Sequence, residues 1–145
     1  MTVYKTTQED FQVFKEAVVY WQNRLGLLNW HIYTRHRPKL EVQAQCATNL
    51  SGRCATITLS KVLYNYDEPP GEAAIRRMAF HEICELFLAR IDICARTRFV
   101  QEGEIEEARH EIIRTLEKVI FDRSEVIPHT SQTESSPGAG APLPG

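Results

Sequence analysis

Residues 79–90 read "AFHEICELFLAR". Within them His81 and Glu85 are four apart, so on a helix they stack on one face, where two side chains can grip one metal ion. Glu82 falls about 100° round from His81, beside that pair. On a helix carrying His-Glu-x-x-His, the second residue is the general base acting on a metal-bound water. Here Glu85 stands where the second histidine of that motif falls, and carboxylate oxygens are accepted zinc ligands.

A catalytic zinc site takes three protein ligands and keeps one position open. The stretch "EEARH" supplies candidates for the third: Glu106, Glu107 and His110. His110 is favoured, because it lies near the edge of an apolar stripe where a neutral imidazole can face a core. Glu106, one turn earlier, is placed to orient the other ring nitrogen, and Glu107 reads as solvated. The expected set is thus His81, Glu85 and His110 around Zn2+ or another divalent metal, with Glu82 as the base. A plainer reading pairs these groups with Arg76, Arg77 or Arg90 as surface ion pairs. Against it, the polar groups interrupt a helix that is otherwise apolar all round, and buried charges need partners or a metal. A di-iron carboxylate site, suggested by Glu107-x-x-His110, needs a second Glu-x-x-His helix within a four-helix bundle; only one such motif is present. His31, His36 and His129 are poorer candidates: the first alternates with core residues, the second sits in a basic turn, and the third lies in a Pro/Gly/Ser-rich tail. Tyr64 and Tyr66 precede the prolines and could line a cleft near the start of the central helix.

The elements that must position these residues can be read from periodicity. "TTQED" offers Thr6 as a helix cap with Glu9 closing a capping box. Phe11, Phe14, Val18, Trp21 and Leu25 then recur at helical spacing, and Gly26 is a natural stop. "NWHIYTR" alternates Trp30 and Ile32 with His31 and Tyr33, a half-buried strand. "LEVQAQC" and "CATITLS" follow as two more strands, joined through "NLSG" as an antiparallel hairpin. Pro69, Pro70 and Gly71 end the strands. A buried central helix is expected over about Glu72 to Ile91, with apolar residues on nearly every face. A last helix is expected over Glu102 to Phe121, its stripe formed by Ile105, Ala108, Ile112, Leu116 and Val119. The expected class is α+β: one N-terminal helix, a three-stranded, mainly antiparallel sheet, the site helix and a C-terminal helix.

The chain has 145 residues, which suits one domain. That domain is expected over residues 6–123, and residues 124–145, with little to bury, are expected to be disordered. The net charge of −2 supplies no positive field for nucleic acid or an anionic membrane, and the basic run "RHRPK" reads as a solvated turn. No stretch of 18 apolar residues spans a membrane. The start of the chain lacks the pattern of an export signal. With no Cys-x-x-Cys pair among the four cysteines, they read as reduced thiols of a cytoplasmic protein, with a Cys46–Cys54 bridge across the hairpin not favoured.

"GLLNWHI", "CATITLS", "FHEICELFLARI" and "EEARHEIIRTLEKVIF" together resemble the small zincin-like metallopeptidases of the SprT-like kind, often encoded by phages and prophages. The resemblance covers about Leu25 to Phe121 and is specific only in the helix motif. The family pattern is His-Glu-x-x-His followed by a glutamate ligand on a later helix; this chain has Glu85 and His110 in the exchanged places. The resemblance implies zinc, a water polarised between metal and Glu82, and a peptide substrate lying along an edge strand. In that picture Thr56, Ile57 and Thr58 of "CATITLS" pair with substrate backbone by β-addition. The expected function is a zinc-dependent hydrolase, a metallopeptidase; the alternative is a non-catalytic zincin-like module that binds a protein partner.

Overall fold

A computed structural model describes residues 3–38, 40–66 and 68–121. Eight elements follow one another: β1 Val3–Lys5, α1 Gln8–Arg24, β2 His31–Arg37, β3 Ala44–Asn49, β4 Cys54–Ser60, β5 Val62–Tyr64, α2 Glu72–Arg96 and α3 Glu102–Phe121. The class is α+β, as expected. The described end of the chain is Phe121, so the expected disordered tail lies outside the described residues.

Helix α1 begins one residue later than the capping pattern suggests. Thr7 is the cap: its hydroxyl accepts from the Asp10 amide at 3.1 Å, and Asp10 accepts from the Thr7 amide at 2.8 Å. Thr6 is engaged elsewhere. Its hydroxyl donates to the Ser60 carbonyl at 2.8 Å and meets His36 Nε2 at 2.7 Å. The His36 ring stacks on Phe11, and burial, with Lys61 nearby, lowers its pKa. At its other end α1 stops at Gly26, whose φ of +69° suits a residue without Cβ. A Cβ there would also come within 2.8 Å of a Val119 methyl of α3.

The strands form two sheets. The larger has the order β2-β4-β3. β3 and β4 are the expected antiparallel hairpin, with Cys46 opposite Ile57 and Asn49 opposite Cys54. Cys46 and Cys54 are therefore out of register for a bridge, and both are free thiols. β2 runs parallel to β4 along its whole length, from His31 beside Cys54 to Arg37 beside Ser60, so the sheet is mixed rather than mainly antiparallel. β4 lies in the interior, flanked on both sides. Its buried residues include Ala55, Ile57 and Leu59 on one face and Thr58 and Ser60 on the other. The smaller sheet pairs β1 with β5 antiparallel; strands of three residues carry no readable period.

The core joins Ala55, Ile57 and Leu59 of β4 to Phe14 and Val18 of α1 and to Ile75, Ala79, Ile83 and Leu86 of α2. Helices thus cover one sheet face, a two-layer solution. Helix α2 runs on past the expected Ile91 to Arg96, where Arg96 and Asp92 form an i,i+4 ion pair at 3.0 Å. It is buried along one stripe only; Phe80, Leu88 and Ile93 are exposed. Helix α3 starts at the expected Glu102 and runs to Phe121, the last described residue, but of its stripe only Ala108 is fully buried, and Ile105 is 42% exposed. A charged tie supplements that contact. Glu111 accepts from Arg53 at 3.0 Å and from Arg90, joining the β3–β4 turn, α2 and α3, while the Arg53 guanidinium lies over the Trp30 ring.

Candidate functional site

On α2 the buried stripe runs Ile75, Ala79, Glu82, Ile83, Leu86, Ala89. Glu82 belongs to it. The helical period that carries Ala79 and Leu86 into the core also carries the carboxylate between them, leaving Glu82 only 4% exposed. His81 and Glu85 come up at the margin of the same helix, with His81 Nε2 and Glu85 Oε1 3.3 Å apart and both side chains more than half exposed. The three together border a cleft of about 590 Å3 whose opposite wall is Val42, Gln43, Ala44 and Tyr66 and whose upper end holds Ala74, Arg77 and Met78. Tyr66, expected as a cleft residue, is one; its hydroxyl donates to Gln43 at 3.3 Å. Tyr64 instead lies in β5 opposite Val3.

The electrostatics centre on Glu82. One of its oxygens, Oε2, is buried without a hydrogen-bond partner among the described residues. Burial, then the neighbouring Glu85 carboxylate, pushes the Glu82 carboxyl up to about 7. Such a group changes protonation near neutrality, the property an acid–base catalyst needs. Cys46 of β3 feels the same two acids: burial first, then Glu82 and Glu85, push its thiol up to about 12. None of the three arginines considered as partners engages His81, Glu82 or Glu85 among the described residues. Arg76 pairs with Glu72 and Glu16, and Arg90 with Glu111.

His110 does not join His81 and Glu85. α3 meets α2 through Leu86, Phe87 and Arg90, which share a small cavity with Ala108, Glu111 and Ile112. Arg90 is nine residues after His81, half a turn round the helix and so on its opposite side. His110 is itself about 200° from the buried Ala108 on α3, and its Nδ1 lies 2.9 Å from the Glu106 carbonyl of its own helix. It is the Glu106 backbone that meets His110, while the side chains of Glu106 and Glu107 pair with Arg109 and Arg114. Among the described residues no three His, Cys, Asp or Glu side chains are grouped to hold a metal ion. His81 and Glu85 fit two of the three protein ligands that catalytic zinc takes; no described residue brings a third donor to them.

The expected substrate strand is also displaced. Thr56, Ile57 and Thr58 of β4 pair with Tyr33, Thr34 and Arg35 on one side and with Ala47, Cys46 and Gln45 on the other. Their backbone groups are committed, so β4 offers no edge to a peptide. The strand with an outer edge next to α2 is β3. "CATITLS" alternates apolar Ala55, Ile57 and Leu59 with polar Thr56, Thr58 and Ser60, the pattern of a half-buried strand, so its interior place, with Thr58 and Ser60 buried as well, is not legible in it. Arg77, which sequence suggests as an ion-pair partner, stands four residues before His81 and so on the same helix face.

Comparison of the chain with protein-family models, with curated proteins and with solved structures finds no match.

Proposed function

We propose that the cleft bordered by His81, Glu82 and Glu85 is the working site of a zincin-like hydrolase that cleaves peptide bonds. One observation carries the reading: a carboxylate with an unpartnered oxygen, buried in the helix stripe yet lining an open cleft. Leaving such a group unpaired costs stability, a cost that chemistry at the site gives reason to retain. Glu82 takes a proton from the attacking water and returns it to the leaving amine. The outer edge of β3 receives the substrate backbone as an added strand, which brings an amide past Glu82. A divalent metal held in part by His81 and Glu85 would polarise that water and the amide carbonyl.

The test is hydrolysis of a denatured protein substrate together with elemental analysis of the purified protein. Wild type is expected to cleave and to carry metal that is lost in His81→Ala. Glu82→Gln is expected to keep its metal and its fold while losing about 100-fold or more in rate, the usual contribution of a positioned acid–base group. Unchanged turnover in Glu82→Gln would remove Glu82 from its role.

The separation of His110 from the pair favours a second reading, a zincin-like module that binds a protein partner without cutting it. Stable capture of a partner that wild type leaves intact, equally strong with Glu82→Gln, would select this reading over the first.

A further inference from the structure

The cleft has an uneven charge distribution. Glu82 and Glu85 stand toward one end, and Arg77 is the one guanidinium among its lining residues. Arg77, His81 and Glu85 follow one another at i, i+4 and i+8, so they form a line along the exposed margin of α2. The rise from Arg77 to His81 is about 6 Å and to Glu85 about 12 Å. Ala74, Met78, Val42 and Ala44 also line the cleft, an apolar surface suited to an aliphatic side chain. The two neighbouring arginines differ in employment. Arg76 is held by Glu72 at 2.7 Å and lies 3.9 Å from Glu16. Arg77 is exposed and has no carboxylate partner among the described residues. It stands on the ridge between the cleft and a shallow aromatic groove bordered by Tyr20, Trp21 and Phe80, open on both sides.

We propose that Arg77 is the specificity-determining residue of this cleft and selects a carboxylate carried by the bound peptide. The inference rests on the peptide-hydrolase reading and adds the substrate class to it. A free guanidinium at a cleft rim presents a planar fork of donors that matches a carboxylate with two parallel hydrogen bonds. The acids at the far end repel the same group, so the ligand's orientation is fixed as well as its charge. Extended peptide advances about 3.3 Å per residue. The rise from Arg77 to Glu82, about 7.5 Å, therefore places the selected carboxylate about two residues from the amide presented to Glu82. An acidic side chain and a free C-terminal carboxylate share this chemistry.

Fluorescence anisotropy with dye-labelled, alanine-based peptides distinguishes them. One peptide carries a single Glu and an amidated end, a second carries Gln and a free carboxyl end, and a third carries Gln and an amidated end. Binding is measured to Glu82→Gln, which prevents turnover, and to the same protein with Arg77→Gln or Arg77→Glu. One of the two carboxylate peptides is expected to bind about tenfold or more tightly than the neutral one, and which one does so identifies the source. Arg77→Gln should level the three, and Arg77→Glu should prefer a Lys-containing peptide. The preference should weaken with added salt. Equal binding of all three peptides, or a preference that survives Arg77→Gln, overturns the role of Arg77. If the peptides bind or are cleaved without charge preference, that role alone falls; if no peptide binds, the peptide-hydrolase reading falls with it.

Discussion

Glu82 occupies a core position with a side chain that ionises. Its motif located it, and its burial did not follow from the motif. Spacing puts Glu82 beside His81 and Glu85, but which flank of the helix turns inward depends on what the rest of the chain packs against it. That packing also fixes the sign of a pH effect. In the unfolded chain Glu82 loses its proton near 4.5, and in the fold near 7. Between those values the folded state holds a proton that the unfolded state has released, so stability falls as pH rises through this window and stays lower above it. In metal-free protein the thermal midpoint should therefore decline from pH 5 to pH 8 by a component that Glu82→Gln abolishes, leaving the variant relatively more stable at pH 8. Parallel melts of the two proteins across that range check it; identical pH profiles would mean that Glu82 does not titrate in the fold as its burial implies.

At the scale of elements, local patterns and long-range pairings were unequally legible. The start of α3 at Glu102 follows from its own residues, and the β3–β4 hairpin from alternating runs on either side of "NLSG", although β3 begins at Ala44 rather than at Leu40. The α1 cap falls at Thr7 rather than Thr6 because Thr6, an equally good capping residue, is bonded to Ser60 and His36 across the fold. The parallel pairing of β2 with β4 joins distant residues and leaves no mark in either strand alone. The side on which α3 lands was likewise out of reach of helical spacing, and with it the distance from His110 to the cleft. What places α3 is the Glu111 tie to Arg53 and Arg90, set beside a small apolar contact at Ala108. Glu111→Ala should accordingly cost about 1–2 kcal/mol, as a charge-assisted network at half-buried side chains does. The loss should be concentrated in α3: its amides should exchange faster while those of α1 and β4 change little. Uniform loss of protection across the chain would show that α3 is not a separately held element.

For the whole molecule, no described helix is long and apolar enough to cross a membrane, and α1, α2 and the strands contribute to one apolar core to which α3 adds no residue. The class α+β was legible from the alternation of periods along the chain; the order of strands in the sheet was not, because period alone does not assign neighbours. That order, β2-β4-β3, sets a sequence of events when the chain folds. β3 and β4 meet across a short turn, so their closure costs little entropy and should come first. β2 then docks against a hairpin already formed, and only that second step seats Ile32 beside Ala55. Stopped-flow folding of two truncations reads this order. Leu50→Ala, in the turn, should mainly slow folding, and Ile32→Ala, in β2, should mainly hasten unfolding. The reverse assignment would place the parallel pair in the nucleus. If the hairpin leads, the wall of the cleft that carries Ala44 exists in the transition state before the sheet is complete.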